Sequence, residues 1–439
     1  MRLCLHFVVL GIAATVFVVA GAQKAFHVSY DFVPVYAGSR CLLHGCNPYD
    51  TLQLERQFFQ AGGQADQLNS WDIDVPVYPP STFLALTPLA LLRYPHARLF
   101  WFFLNGCLFV TSTVLVWSLC PRAHRWLATI LASFILGTSG ILLVLGQPAV
   151  FAISLVLIGT YLFLRGRLLP MATLLCMVSL AVKPQIGGLI VLYLWAQRIH
   201  WRYVAAAMAG SLVILVCGGL MLGLRPGSSA WRTTRVANLS ATMSAGGSAD
   251  PRPANQEAIG DVNLQPLTSI VLVGAREFNL AAYAVFLVLL GLCAVAIPWR
   301  NVTLEMHFLA LGGMAVLSLL PIYHRFYDTR LLLMSLPAAV VIFGKRRLLG
   351  TAIAVVTAVA VISVQYRVQL FLVRRAEWQS VLQHKLLFTL LLRQQNLELL
   401  LLFGLYLSAI VQCIWCDRTD WQRLWAARRE DKALGRKER

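Results

Sequence analysis

Apolar residues run along this chain in blocks of membrane-spanning length, and short turns that carry arginine divide one block from the next. A helix rises about 1.5 Å per residue, so roughly 20 apolar residues cross about 30 Å of hydrocarbon. By that measure spans lie near residues 4–25, 97–120, 126–145, 148–164, 168–182, 185–197, 203–223, 279–297, 303–320, 329–344, 348–365 and 397–415. The expected architecture is an all-α polytopic membrane protein, one bundle of about 12 transmembrane helices within residues 1–416, followed by a basic tail at residues 417–439. The blocks at 168–182 and 185–197 are short for a full crossing. They predict either a pair that meets short of the far surface or a re-entrant element sheltered by protein. The first block starts with Arg2 and ends near the small residues Ala20, Gly21 and Ala22, as a cleavable signal would. Its apolar run is long for a signal, and it is read as a retained span.

Composition removes the soluble alternatives. Of 439 residues, 58% are hydrophobic and only 13% charged, whereas soluble domains carry about 25% charged residues. The formal net charge of +18 would suit nucleic acid, but no aromatic and basic groove or repeat accompanies it. Its placement reads as topology. When direction alternates from a cytoplasmic Arg2, the turns "PRAHR" (121–125), "RGR" (165–167), "RIHWR" (198–202), "WR" (299–300), "KRR" (345–347) and the basic tail all fall on one side. Positive charge in short turns marks the cytoplasmic face. Both termini are then expected in the cytoplasm, the location is the cytoplasmic (inner) membrane, and residues 26–96, 224–278 and 366–396 are extracytoplasmic. Prolines 76, 79, 80, 88 and 95 cut the first of these segments into short elements. The stretch "SATMSAGGSADPRPANQ" predicts a mobile middle for the second, and Arg374, Arg375, Glu377, His384 and Lys385 predict a solvated or headgroup-level helix for the third.

Polar groups stand beside the extracytoplasmic ends of several spans. Asp31, in "HVSYDFVPVY", follows the first; "GQPAV" puts Gln147 at the start of another; "AVKPQIGG" puts Lys183 and Gln185 at a junction; and "PIYHRFYDTR" concentrates Tyr323, His324, Arg325, Tyr327, Asp328 and Arg330. Together these would supply cations for a phosphate, aromatics for an apolar chain or sugar face, and a base for a hydroxyl. Each has a plainer reading. Asp31 would cap the helix that has Pro34 near its first turn, Lys183 would snorkel to the interface, Gln147 would pack between helices, and His324 and Arg325 would anchor at headgroup level. Cys41 and Cys46 are candidates for a disulfide on the extracytoplasmic side. HExxH does not occur and no clustered His and Cys have the spacing of a zinc site, so no metal is expected.

The motifs "YDFVPVYAGSRCLLHGCNPYD", "YPPSTFLALTPLALL", "GQPAVFAISLVLIGTYLFLRGR", "AVKPQIGGLIVLYLWAQRIHWR" and "YHRFYDTRLLL" follow one another over residues 30–335. In them the sequence resembles glycosyltransferase family 87 of the GT-C superfamily, membrane proteins similar to the polyprenol-phosphate-mannose-dependent α-1,2-mannosyltransferases. The resemblance implies a GT-C bundle whose large first extracytoplasmic loop supports the active site, with Asp31 as catalytic base. It implies site roles for Lys183 before its proline and for Tyr327 and Asp328; His324 fits less closely. The expected donor-phosphate or lipid contacts are Lys183, His324, Arg325, Gln185, Gln147 and Tyr327, and the expected sugar or acceptor contacts are Tyr36, Arg40, Tyr78 and Asp328. The expected activity is inverting transfer of a hexose, mannose first, from a polyprenyl-phosphate sugar to a lipid-linked or envelope-glycan acceptor. No cofactor or metal is expected, because the donor is a co-substrate that carries its own leaving group, and the protein is expected as a monomer. Residues 225–260 depart most from the family pattern, which leaves the acceptor open. The alternatives are another lipid-phosphate sugar donor (arabinose, glucose or galactose) or a glycan ligase on the same fold. A lipid or solute transporter is the alternative of another class, disfavoured because no second copy of "VKPQ" or "YHRFYD" marks paired repeats.

Overall fold

The computed structural model describes residues 2–25, 30–68, 76–253, 255, 260–298, 302–362 and 384–434. The first half contains α1 (Arg2–Ala25), α2 (Phe32–His44), α3 (Thr51–Gln60), α4 (Pro80–Ala85), α5 (Thr87–Ala90), α6 (Tyr94–Ser118), α7 (Arg125–Gly137), α8 (Gly140–Leu145), α9 (Pro148–Arg165), α10 (Leu169–Val182) and α11 (Pro184–Ala196). The second contains α12 (Trp201–Gly223), α13 (Trp231–Met243), α14 (Gln265–Thr268), α15 (Ala275–Ala296), α16 (Leu304–Ser318), α17 (Ser335–Lys345), α18 (Arg347–Val361), α19 (Lys385–Leu392) and α20 (Gln394–Leu434). A 3-10 stretch, Phe326–Met334, leads into α17. Among the described residues the extended backbone pairs at one isolated bridge, Asp261 with Arg325.

Eight helical segments among the described residues are long and apolar enough to cross a membrane: Leu3–Gln23, Tyr94–Ser118, Arg122–Leu145, Pro148–Arg165, Trp201–Gly223, Ala275–Ala296, Phe326–Lys345 and Gln394–Ile414. The shorter α10, α11, α16 and α18 are also apolar. The chain is an all-helical, multi-pass integral membrane protein. Proline in the first turn starts α4, α5, α6, α9, α10 and α11, where its missing N–H removes no helical bond. α9 and α16 are buried along most of their length and form the centre. α12 and α15 expose Leu212, Val216, Leu220, Leu287, Val288 and Val295, as helices at a lipid boundary do.

The first long segment is packed, not loose. α2 buries Phe32 through Ser39, and the Phe83 ring of α4 lies where a Cβ on Gly38 would be, 2.3 Å away. α4 in turn rests on α12, where the Pro80 carbonyl oxygen comes within 2.8 Å of a Cβ built on Gly218. Cys41 and Cys46 are joined by a disulfide with their Cα atoms 4.6 Å apart, across the left-handed Gly45 that ends α2.

Several expectations change. The block at 126–145 is broken at Thr138 and Ser139 into α7 and α8, and the span expected near 329–344 begins as a 3-10 helix. α20 runs unbroken from the last span through residue 417 into the segment expected as a basic tail. The second long segment, whose middle the composition marked as mobile, buries Asp250, Asn255, Asp261, Asn263 and Gln265. Of the residues expected on a solvated helix in the third segment, Arg374, Arg375 and Glu377 lie outside the described residues and His384 and Lys385 are exposed, as expected; past them, Arg393 and Asn396 are buried. The Arg393 guanidinium donates to the carbonyls of Pro251, Arg252 and Asn255, and Asn396 accepts from the Asn263 N–H at 2.9 Å. These bonds tie the second segment to the last span.

The break in α7–α8 has a specific partner. Arg330, 1% exposed, donates from Nη2 to the Thr138 carbonyl at 3.2 Å, from Nε to Ser139 Oγ at 3.2 Å and from Nη1 to the Phe326 carbonyl at 3.0 Å. Lipid offers an interrupted helix no donors, so buried protein must supply them. Arg330→Met keeps an unbranched stem and removes the donors, at about 1–3 kcal/mol for the Thr138 carbonyl, while the Phe326 carbonyl keeps its bond from Thr329 Oγ1. The expected outcome is a thermal midpoint in detergent lowered by about 1–3 °C. A midpoint within error of the parent protein would show that the break does not depend on Arg330.

Candidate active site

Asp31 is fixed by backbone before its side chain does anything. Gly146 ends α8 in the left-handed region, φ 66°, turning the chain so that the Leu145 and Gly146 carbonyls leave the helix. The Asp31 N–H donates to the Leu145 oxygen at 3.1 Å, and Trp101 Nε1 donates to the Gly146 oxygen at 2.8 Å. Phe32 stacks on the same Trp101, ring centroids 5.2 Å apart. Asp31 occupies the N-cap position of α2, yet its side chain makes no capping hydrogen bond. The plain helix-cap reading therefore fails. Its carboxylate interacts electrostatically with the hydroxyls of both Tyr323 and Tyr327, so it belongs to the same site as the 321–330 stretch.

Lys183 sits in the break between α10 and α11, φ −148° and ψ 79°, outside the helical region that Pro184 disfavours for the residue before it. The Val182 carbonyl accepts from Thr82 Oγ1 at 2.7 Å, which ties the first segment to this junction. Lys183 Nζ reaches both oxygens of Asp328, at 2.8 and 3.0 Å. Asp328 Oδ2 is also 2.9 Å from His324 Nδ1 and accepts the Arg325 backbone N–H at 3.2 Å. The expectation had Lys183 on a phosphate and Asp328 on a sugar; the structure makes them one buried ion pair, with the Tyr327 ring 5.3 Å from Nζ. His324 is fully buried, and its Nε2 has no hydrogen-bond partner among the described residues.

Arg325 has a separate set of partners. Its Nε donates to Tyr323 Oη, its Nη2 donates to the Ser248 carbonyl at 3.0 Å, and Asp261 Oδ1 lies 3.6 Å from Nε. Burial pushes the Asp261 carboxyl up to about 7, against the opposite pull of Arg325 and Arg393. Burial likewise raises the Tyr323 phenol above its ordinary range.

The remaining expected residues lie apart from this cluster or bear on it through backbone. Gln147 caps α9 through the Ala149 N–H at 3.4 Å, and its buried Nε2 has no partner among the described residues. Gln185 is half-buried in the first turn of α11. Tyr36 Oη donates to the Leu92 carbonyl at 2.6 Å and Arg40 Nη1 to the Ala90 carbonyl at 3.1 Å, so both brace α2 against the end of α5. Tyr78 accepts from Tyr49 Oη through its own carbonyl at 2.8 Å. Sequence reasoning missed Asp261 and Arg393, and placed no role on Arg330. The one signal for Asp261 is the alternation in "GDVNLQP", where polar residues flank the buried Val262 and Leu264. Among the described residues no group of three or more His, Cys, Asp or Glu could hold a metal ion; Asp72 and Asp74 lie outside them.

The Lys183–Asp328 pair predicts strongly non-additive mutants. Lys183→Met leaves a carboxylate buried beside one imidazole and one N–H, and breaking a buried pair from one side costs about 3–5 kcal/mol. Lys183→Met with Asp328→Leu is expected to recover most of that loss. Denaturation of the single and double variants in one detergent measures the coupling, and additive losses would mean the two groups do not act as a pair.

No curated protein and no solved structure matches this chain. Residues 77–322 match the family described as glycosyltransferase family 87. The match includes Tyr78, Gln147, Lys183, Gln185 and Asp261, and stops short of Asp31, Tyr36 and Arg40 on one side and of His324, Arg325, Tyr327 and Asp328 on the other. It spans over half of the 439 residues, across the junctions that carry the Lys183 break and the Gly146 turn. The chain belongs to glycosyltransferase family 87 of the GT-C superfamily and is a membrane-embedded, polyprenyl-phosphate-sugar-dependent glycosyltransferase.

Proposed function

We propose that this enzyme transfers a hexose, mannose first, from polyprenyl-phosphate sugar to a hydroxyl of a lipid-linked or envelope-glycan acceptor, with inversion at the anomeric carbon. The site faces the extracytoplasmic side of the cytoplasmic membrane, in a bundle of about 12 spans, counting the four short apolar helices with the eight long ones. Both termini are cytoplasmic, and the protein acts as a monomer. The Cys41–Cys46 disulfide in the first segment suits an oxidising compartment on that side.

The observation that carries the reading is Asp31. A half-buried carboxylate at the end of the first span, not used as a cap and held by backbone beside Tyr323 and Tyr327, is suited to general-base work. In the proposed step Asp31 accepts the acceptor's hydroxyl proton while that oxygen attacks the anomeric carbon. The bond from that carbon to the phosphate oxygen breaks on the opposite face, and a β-linked donor gives an α-linked product. Charge then grows on the departing polyprenyl phosphate. Arg325, a quarter exposed, and the third N–H of Lys183, whose other two serve Asp328, are placed to meet it. Tyr327 offers an aromatic face beside Lys183. The donor brings its own phosphate, so the step needs no metal or other cofactor.

Asp31→Asn keeps size and removes the base. Transfer from polyprenyl-phosphate-mannose to membrane lipid acceptors is expected to fall by roughly 10²-fold or more, with monodisperse elution in detergent unchanged. Asp31→Glu is expected to rescue poorly, because it moves the carboxylate by about an ångström. Near-normal turnover in a well-folded Asp31→Asn enzyme would take the base role from this residue. Galactosyl, glucosyl and arabinosyl donors in the same assay identify the sugar.

A further inference from the structure

The two cations placed for the donor phosphate are backed by carboxylates in opposite ways. Asp328 holds Lys183 through two short hydrogen bonds and has its own further support from His324 and the Arg325 N–H. Asp261 lies 3.6 Å from Arg325 without a hydrogen bond, and neither of its buried oxygens has a hydrogen-bond partner among the described residues. Backbone fixes this looseness in place. The Asp261–Arg325 bridge and the bond from the Val262 N–H to the His324 carbonyl at 2.8 Å hold the two residues side by side, while Tyr323 and the Ser248 carbonyl draw the guanidinium from other directions.

We infer that Asp261 is a positioning residue: when ionised it competes with the donor phosphodiester for Arg325, and when protonated it releases Arg325 to bind that phosphate. The inference rests on the donor reading of the preceding section and names the residue that regulates it. Among the described residues the groups that face Asp261 are Arg325 and Tyr323 from the 321–325 stretch, Arg393 just before α20 and Asp250 of its own segment; Asp31 acts on Tyr323. Burial dominates this set and pushes Asp261 up to about 7. The carboxyl is therefore neutral below that pH and ionised above it. A phosphate arriving on Arg325 adds a negative charge beside Asp261 and favours its protonation further, so donor binding takes up a proton.

The test is direct binding, independent of turnover. The probe is citronellyl-phosphoryl-mannose, a phosphodiester whose own charge is constant between about pH 6 and 8. For the parent enzyme in detergent, Kd is expected to rise about tenfold from pH 6 to pH 8, the factor that a competing group titrating near 7 imposes. Asp261→Asn is expected to bind at pH 8 as tightly as the parent does at pH 6, with no pH dependence, an improvement that loss of a merely structural residue would not give. Arg325→Gln is expected to bind weakly and equally at both. A parent Kd that does not change with pH, or an Asp261→Asn enzyme that binds more weakly at pH 8 or keeps the parent's dependence, would overturn the inference. If Asp261→Asn does not elute as a folded species, the parent and Arg325→Gln curves decide alone: equal pH dependence in both overturns it. A parent enzyme that binds the probe at neither pH would overturn the donor reading itself, a failure distinct from pH-independent binding.

Discussion

The site depends on one buried carboxylate. Asp328 draws together Lys183 from the α10–α11 break and His324 and Arg325 from the stretch before the 3-10 helix. A charge inside a membrane protein persists only when it is paired and hydrogen-bonded. The pair therefore fixes where two spans far apart in sequence meet. α10 and α11 are short because the chain must turn at Lys183 to deliver its ammonium to this carboxylate. The 3-10 winding of Phe326–Met334 accompanies the same constraint, presenting Tyr327 under Lys183 and Arg330 toward the α7–α8 break from one continuous stretch.

Around this pair the long segments between spans behave as walls. The first reaches the site through α2, which carries Asp31, and through the Thr82 bond to the Val182 carbonyl. The second reaches it through Asp261 and Ser248, and is secured in turn by Arg393 and Asn396. Asp31 of the first wall and Asp261 of the second both act electrostatically on Tyr323.

Much of this was legible in sequence, for reasons that also explain the rest. Proline and glycine beside polar residues within apolar surroundings singled out Gln147, Lys183 and the 321–330 stretch, because such residues are costly in a bilayer without a purpose. Pairing was not legible. Nothing local says that Lys183 meets Asp328 and not a free phosphate, since that depends on how spans far apart in the chain assemble. The break at Thr138 and Ser139 gives no signal either, because both are small residues that an unbroken span tolerates. Asp261 was concealed by composition, lying just past a Ser, Gly and Pro-rich stretch that reads as loose; its burial comes from partners in the last span. Tyr36 and Arg40 show the converse, where residues beside a recognised motif serve packing of the first segment.

The arginine at the α7–α8 break bears on how the protein is made. Ser139 and Arg330 are 191 residues apart, and ribosomes add about 5–20 residues per second. For roughly 10 to 40 s after α7 and α8 leave the ribosome, the residue that completes their backbone bonding does not yet exist. During that interval the interrupted helix must stay at the translocon or the water boundary, or borrow another donor. That end of the early bundle can settle only when the second half of the chain has been inserted.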